Sequence, residues 1–277
     1  MFVYLAIKAV HIEISADLST ETFLNILKRF ISRRGRPANM YSDNATNFVG
    51  AENELIELRE MFNNENSVTK IINSLSAENI QWHFIPPRAP HQGGLWEAAV
   101  KSAKRHLHKV LENASVRYDE LITFTVQVEA VLNSRPLTVI SADANDPSPL
   151  TPGHFLIGDS ITSYPEPSLE TMPINRLSRW QRIEQLRQHF WRRWSNDYLQ
   201  ACQKRTKWQT IKDQVKVGQV VMVQDETSLP LSWVLGKVET IHPGNDGIVR
   251  TVTVKTKNGI YKRPITKISY LPVEQDL

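Results

Sequence analysis

"RGRPANMYSDNATNF", residues 34–48, holds the change of pattern on which the fold turns. Gly35 and Pro37 end one element, a short apolar run follows, and Asp43 stands where that run gives way to polar residues. In an open α/β sheet, the carboxyl end of a strand is where function gathers. Asp-Asn at such a place is also ordinary turn chemistry. Asp43 therefore has two readings at this point, a metal-binding carboxylate or the start of a turn.

Outward from that stretch, extended apolar runs alternate with helical patterns through the first half of the chain. The runs are "FVYLAIKAVHIEI" (2–14), "ANMYSD" (38–43) and "IQWHFIP" (80–86), and the helical patterns cover 20–33, 50–62, 95–112 and 118–133. Such alternation predicts an α/β layer fold. Residues 141–175, rich in proline, serine and acids, read as a linker, and residues 176–212 as a basic amphipathic helical segment. From 214 to 277 the period shortens to β-rich runs, "GQVVMVQD", "WVLGKVETI", "VRTVTVKT" and "IYKRPITKI", separated by turn signals. Short strands at near-regular spacing predict a small barrel or sandwich.

The 277 residues suit about two domains, with 41% hydrophobic and 22% charged residues to build and solvate them. No apolar run approaches the length needed to cross a bilayer, so no membrane partner is expected. The apolar N-terminal stretch lacks a basic leader and a small-residue cleavage site, and reads as sheet. One cysteine, Cys202, excludes an internal disulfide and a multi-cysteine zinc site. The net charge of +4 is unevenly spread: residues 176–212 carry ten Lys/Arg against Glu184 and Asp197. A cationic block of that kind points to a polyanion. Trp180, Ile183, Leu186, Phe190, Trp191 and Trp194 between the charges mark a buried stripe, so the block is a helix and not a tail.

A second motif begins after the proline- and glycine-rich loop "FIPPRAPHQGG". At roughly 100° per residue, Glu97, Lys101, Lys104 and His108 share one narrow helical face, opposite an apolar stripe that includes Leu95, Trp96, Val100 and Leu107. Taken alone, this pattern is best explained by pairing of Glu97 with Lys101 along the helix.

Taken together, "AVHIEI" (9–14), "RRGRPANMYSDNATNFVGAENEL" (33–55), "PPRAPHQGGLWEAAVKSAKRHL" (86–107), "NSRPLT" (133–138) and "SPLTPGHFLIG" (148–158) resemble the integrase of Pao/BEL long-terminal-repeat retrotransposons. The tail resembles the small C-terminal domain that follows that core. The resemblance implies an RNase H-like core over 1–140, truncated at its N-terminus, and an SH3-like barrel over 214–277. It makes Asp43 the second acid of a metal-binding triad and Glu97 the third, with Mg²⁺ or Mn²⁺ and no zinc. It implies DNA as partner, both retroelement ends and target, with homo-oligomers and a nuclear location in the intact enzyme. Lys101, Lys104, Arg192, Arg193, Lys204 and Arg205 are the expected DNA contacts.

Three departures accompany the resemblance. The first acid of the triad belongs to an opening strand and has no counterpart here, and Glu13 and Asp17 do not replace it. The zinc module that precedes such cores has no His/Cys counterpart either. Ala45 stands where "SDN-G-TNF" usually has glycine. The expectation is a polynucleotidyl transferase chain that does not join DNA by itself. The alternative is a non-catalytic nucleic-acid-binding remnant or domesticated protein.

Overall fold

A computed structural model of the chain describes residues 1–42, 53, 80–84, 94–112, 114–141, 143, 147–164, 166–203, 215–225 and 228–272, with 94–100 as helical backbone. The architecture is mixed α/β, in two compact units: Met1–Leu5 with His11–Ser102, and Ala6–Val10 with Ala103–Leu277. No helix among the described residues is long and apolar enough to cross a membrane.

The first unit is organised by α1 (Thr20–Arg34). Asp17 accepts from the amide and hydroxyl of Ser19 at 2.9 and 2.7 Å, and Ser19 in turn accepts from the amide of Thr22 at 3.2 Å. That caps the helix start, and Glu21 and Arg33/Arg34 suit the two ends of its dipole. Gly35, at φ 83°, ends the helix and donates to the Ile31 carbonyl at 2.9 Å. The buried face presents Phe23, Leu27 and Phe30; Phe30 stacks on Phe2 at 4.3 Å and Phe23 meets Trp82 edge-on at 5.8 Å. Arg29 and Arg33 donate to the Glu13 carboxylate at 2.8 and 2.9 Å. Glu13 thus fastens α1.

The long extended run expected over residues 2–14 is present only as two short strands, β1 (Phe2–Val3) and β2 (Val10–His11). Between them the chain turns, with Lys8 at φ 55°. A non-glycine residue in that region interrupts a strand, and no glycine, proline or asparagine marked it in the sequence. Next, β3 (Asn39–Ser42) runs parallel to β4 (Gln81–Phe84), in the register Asn39↔Gln81 to Ser42↔Phe84. The helix α2 (Gly94–Leu111) follows.

In the second unit, α3 (Tyr118–Asn133) buries Phe124, Val128, Val131 and Leu132. A two-stranded antiparallel pair, β5 (Thr138–Ser141) and β6 (Ser148–Leu150), leads to the short α4 (Pro152–Ile157). The longest helix among the described residues, α5 (Arg179–Ala201), buries Phe190 completely; its ring meets Phe124 edge-on at 6.5 Å. Of the expected apolar stripe, Ile183, Phe190, Trp191 and Trp194 are buried, Leu186 is half-buried and Trp180 is 63% exposed.

Five antiparallel strands complete the unit: β7 (Val220–Val223), β8 (Leu235–Pro243), β9 (Val249–Thr256), β10 (Gly259–Pro264) and β11 (Ile268–Tyr270). Their spatial order is β10-β9-β8-β7-β11. Val221, Val223, Val238, Val252, Val254 and Ile268 form a core on one face. On the other face, Val220, Met222 and Leu235 pack with Leu199 of α5. Trp233 lies within this packing. Its indole N–H donates to the Ser134 hydroxyl at 3.1 Å, and its ring meets Trp191 and Tyr198 at 4.8 and 5.5 Å.

Candidate nucleic-acid interface

The pattern of pairing and alternation decides which cations are available. Asp43 follows directly on the last residue of β3, and its placement lies outside the described residues. Glu97 falls in the first turn of α2, where only the helical backbone is described. Both are hard oxygen donors of the kind Mg²⁺ takes. Among the described residues no group of three or more His, Cys, Asp or Glu side chains is placed to hold a metal.

Further along α2, Lys101 and Lys104 are exposed. Beyond them, Arg105 and His106 both reach Asp197 of α5, the latter at 3.0 Å. Burial lowers the pKa of His106; Asp197 opposes that shift, and the Arg105 and Arg193 guanidiniums add to it. His189 is lowered by burial and again by Arg193. Arg193, exposed on α5, therefore projects its charge towards both rings without a carboxylate partner among the described residues.

The other arginines of α5 are engaged. Arg179 donates to both oxygens of Glu120, at 2.6 and 2.7 Å. With the Arg117 amide bond at 2.7 Å, this holds Glu120 down at about 2. Arg187 is buried and pairs with buried Glu184 at 2.7 Å. Arg192, one of the expected DNA contacts, is ion-paired with Glu170. Lys204 and Arg205 lie outside the described residues.

Glu170 belongs to a stretch that the composition suggested was linker. That stretch is fastened to α5 through its main chain. The Gln188 carbonyl accepts from the Leu169 amide at 2.8 Å and its amide donates to the Pro167 carbonyl at 3.0 Å. Gln185 donates to the carbonyls of Leu169 and Met172 at 2.7 and 2.8 Å. Extended main chain offers few intrinsic signals for such docking; the only hint was two glutamines, Gln185 and Gln188, on one helical face.

A second cationic surface lies on the five-stranded sheet. Successive residues of a strand face opposite sides, so the buried Val252 and Val254 put Thr251, Thr253 and Lys255 on the other face of β9. The register adds Lys237 directly opposite Lys255, Thr240 opposite Thr253, and His242 opposite Thr251. On β10 it adds exposed Ile260, Lys262 and Pro264. Helix α5 packs on the β7 side of this face; on the β9 and β10 side, three lysines and three threonines lie together, joined by the exposed carboxylate of Glu239, which the bulge between Val238 and Thr240 puts on the same face. The His242 ring is hydrogen-bonded to the Thr253 hydroxyl at 2.8 Å. Other cations of this segment are placed differently: Arg250 is tied to Asp246 in the β8–β9 turn, and Arg263 lies over the Tyr261 ring at 5.0 Å. The alternation in "VRTVTVKT" contained this sorting.

Residues 178–271, about a third of the chain, match a family of unknown function, DUF5641. The match begins one residue before α5 and ends one residue after β11, so it covers the helix and the sheet together. No curated protein matches the chain.

Proposed function

We propose that this chain is the DNA-handling part of a Pao/BEL-type retrotransposon integrase, with an RNase H-like core and an SH3-like C-terminal domain. The parallel β3–β4 pair with Asp43 immediately after it, and α2 with Glu97 in its first turn, support the first assignment. The five-stranded antiparallel sheet supports the second. The observation that carries the DNA reading is Lys237 directly across from Lys255, with Lys262 on the same face. Like charges opposite one another on a sheet destabilise it, and a phosphate backbone laid over them removes that cost. Lysines and hydroxyls contact phosphates without reading bases, so binding follows backbone and not sequence.

In this reading Asp43 and Glu97 would hold divalent metal, which when bound supplies activation of a 3′-hydroxyl and stabilisation of the leaving oxygen. Lys101 and Lys104, one and two turns beyond Glu97, bind phosphates beside that site. Two carboxylates are fewer than the three the family uses, so the 277-residue chain alone binds DNA and does not join it. Homo-oligomers and a nuclear location belong to the same proposal.

The test is titration of the full chain with unrelated duplexes at several salt concentrations. Removing one lysine–phosphate pairing flattens the slope of log affinity against log salt by about 0.9. Replacing Lys237, Lys255 and Lys262 with alanine therefore lowers the slope by about 2 to 3. An unchanged slope removes the sheet from the interface. Metal-dependent joining of a labelled DNA end by the chain alone would overturn the inactive assignment.

A further inference from the structure

Residues 166–172 lie along α5 as a strap tied by its main chain, and what the strap covers is a cation. Gln185 and Gln188 hold the main chain of Pro167, Leu169 and Met172, and the His189 ring adds a contact to the Glu170 carbonyl at 3.3 Å. These ties deliver the Glu170 carboxylate to Arg192. The Arg192 side chain is still 57% exposed, so the carboxylate, and not burial, keeps it from other anions. A carboxylate docked on a guanidinium occupies the place that a phosphate oxygen takes.

The first residue of the strap is less well matched. The Gln188 amide donates to the Pro167 carbonyl at 3.0 Å and to Glu184 Oε1 at 3.0 Å. That shared donor brings Glu166, the neighbour of Pro167, up to the buried Glu184 carboxylate. The charged groups of α5 that face Glu166 are Glu184 and Arg187, and Arg187 is already paired with Glu184 at 2.7 Å. On the strap itself, Glu170 is turned to Arg192. One oxygen of Glu166, Oε2, is enclosed and meets no hydrogen-bond partner among the described residues. A carboxyl so placed costs less to keep neutral than to ionise. Burial raises its pKa, Glu184 adds to the shift, and Arg187 opposes it.

We infer that residues 166–172 are a proton-gated strap: with Glu166 protonated the strap lies closed on α5 and withholds Arg192 through Glu170, and ionisation of Glu166 loosens it and frees Arg192 for phosphate. A carboxyl whose pKa is raised by docking favours the docked strap in full below its ordinary value of 4.5, and that contribution is lost as pH rises through the docked value. Arg192 is therefore more available on the alkaline side. Protonation of His106 and His189 works the other way, adding charge to the same surface in acid. The choice of phosphate rests on the DNA reading; the gate does not.

The experiment follows amide hydrogen exchange at Leu169 in the full chain from about pH 4.5 to about pH 8, corrected for the pH dependence of exchange itself. Protection in the unaltered chain falls severalfold over that span, whereas Glu166→Gln, neutral throughout, holds it level. The Phe190 amide, within α5, reports whether each variant is folded, and Glu166→Ala, which cannot ionise either, decides if Glu166→Gln is not. Leu169 protection that is flat in the unaltered chain, or that falls equally without the carboxyl, overturns the gate. Duplex binding shows what the gate controls. Arg192→Ala leaves the salt slope unchanged in acid, where the strap is closed, and flattens it by up to about 0.9 on the alkaline side. In the Glu166→Gln background it has no effect at either pH. An equal effect of Arg192→Ala at both ends of the range also overturns the inference. Absence of duplex binding by the unaltered chain removes the DNA reading, and Leu169 exchange, measured without DNA, then judges the strap alone.

Discussion

Helix α5 and the β9–β10 half of the C-terminal sheet are both cationic, and they use their charge in opposite ways. In α5, Arg179, Arg187 and Arg192 are held by Glu120, Glu184 and Glu170. On the sheet, Lys237, Lys255 and Lys262 face outward beside threonines. Among the described residues, these three arginines are thus less available to phosphate than the lysines of the sheet. A run of cations in a sequence measures charge present, and the partners that fold against it determine charge available.

The largest effect that separates the two regions is on stability. Arg187→Ala leaves the buried Glu184 carboxylate without its counter-charge, with the Gln188 amide still donating to it at 3.0 Å, and costs about 3–5 kcal/mol, read from the urea midpoint at constant slope. Lys255→Ala in the same experiment shifts the midpoint little, or upward, because Lys237 loses a like-charged neighbour. Equal destabilisation by the two would erase the contrast.

A smaller effect tests how α5 is dressed. Gln188→Ala removes the partners of the Leu169 amide and the Pro167 carbonyl. The buried Leu169 amide left unsatisfied costs about 1–3 kcal/mol, whereas the carbonyl of exposed Pro167 is open to water. If 166–172 is fastened as described, the amide of Leu169 also becomes rapidly exchanging in this variant; continued protection would show that other contacts hold the segment.

Charge availability inside α5 is sharpened by its two adjacent arginines. Arg193→Ala flattens the salt dependence of duplex binding by about 0.9, the value for one phosphate, and Arg192→Ala leaves it unchanged. Glu170→Gln releases Arg192 and steepens the slope. The reverse ranking would mean that DNA displaces Glu170.

The smallest effect is a pH dependence. Glu120 is held at about 2 in the folded protein against an ordinary 4.5. A depressed carboxyl contributes stability above its unfolded value and loses it as pH falls towards the folded one. The Arg179–Glu120 contribution is therefore whole above about pH 4.5 and gone near pH 2. Glu120→Gln flattens stability against pH in that window alone.

Much of this was legible in the sequence where periodicity was strong. The helix expected over 118–133 is α3, and the four β-rich runs after 214 carry β7 to β10. The rest escaped for identifiable reasons. Lys8 turns the first apolar run without a turn residue to announce it. Trp233 is enclosed by Trp191, Trp194 and Tyr198. Its neighbours lie more than 30 positions away, beyond the reach of any local pattern. For the candidate site, position along the chain was readable at Asp43 and Glu97, whereas the pairing of Arg192 with Glu170 depends on how a proline-rich stretch lies across a helix.

The fastening of residues 166–172 onto α5 also bears on inheritance. Sequence similarity to the DUF5641 family starts at residue 178, yet Gln185 and Gln188 have their partners before it, and Phe190 and Trp233 have theirs at Phe124 and Ser134. A recombination event that carried only 178–271 to another host chain would deliver a helix with its polar and aromatic sockets empty. The segment that can be passed on intact is longer than the segment that looks alike.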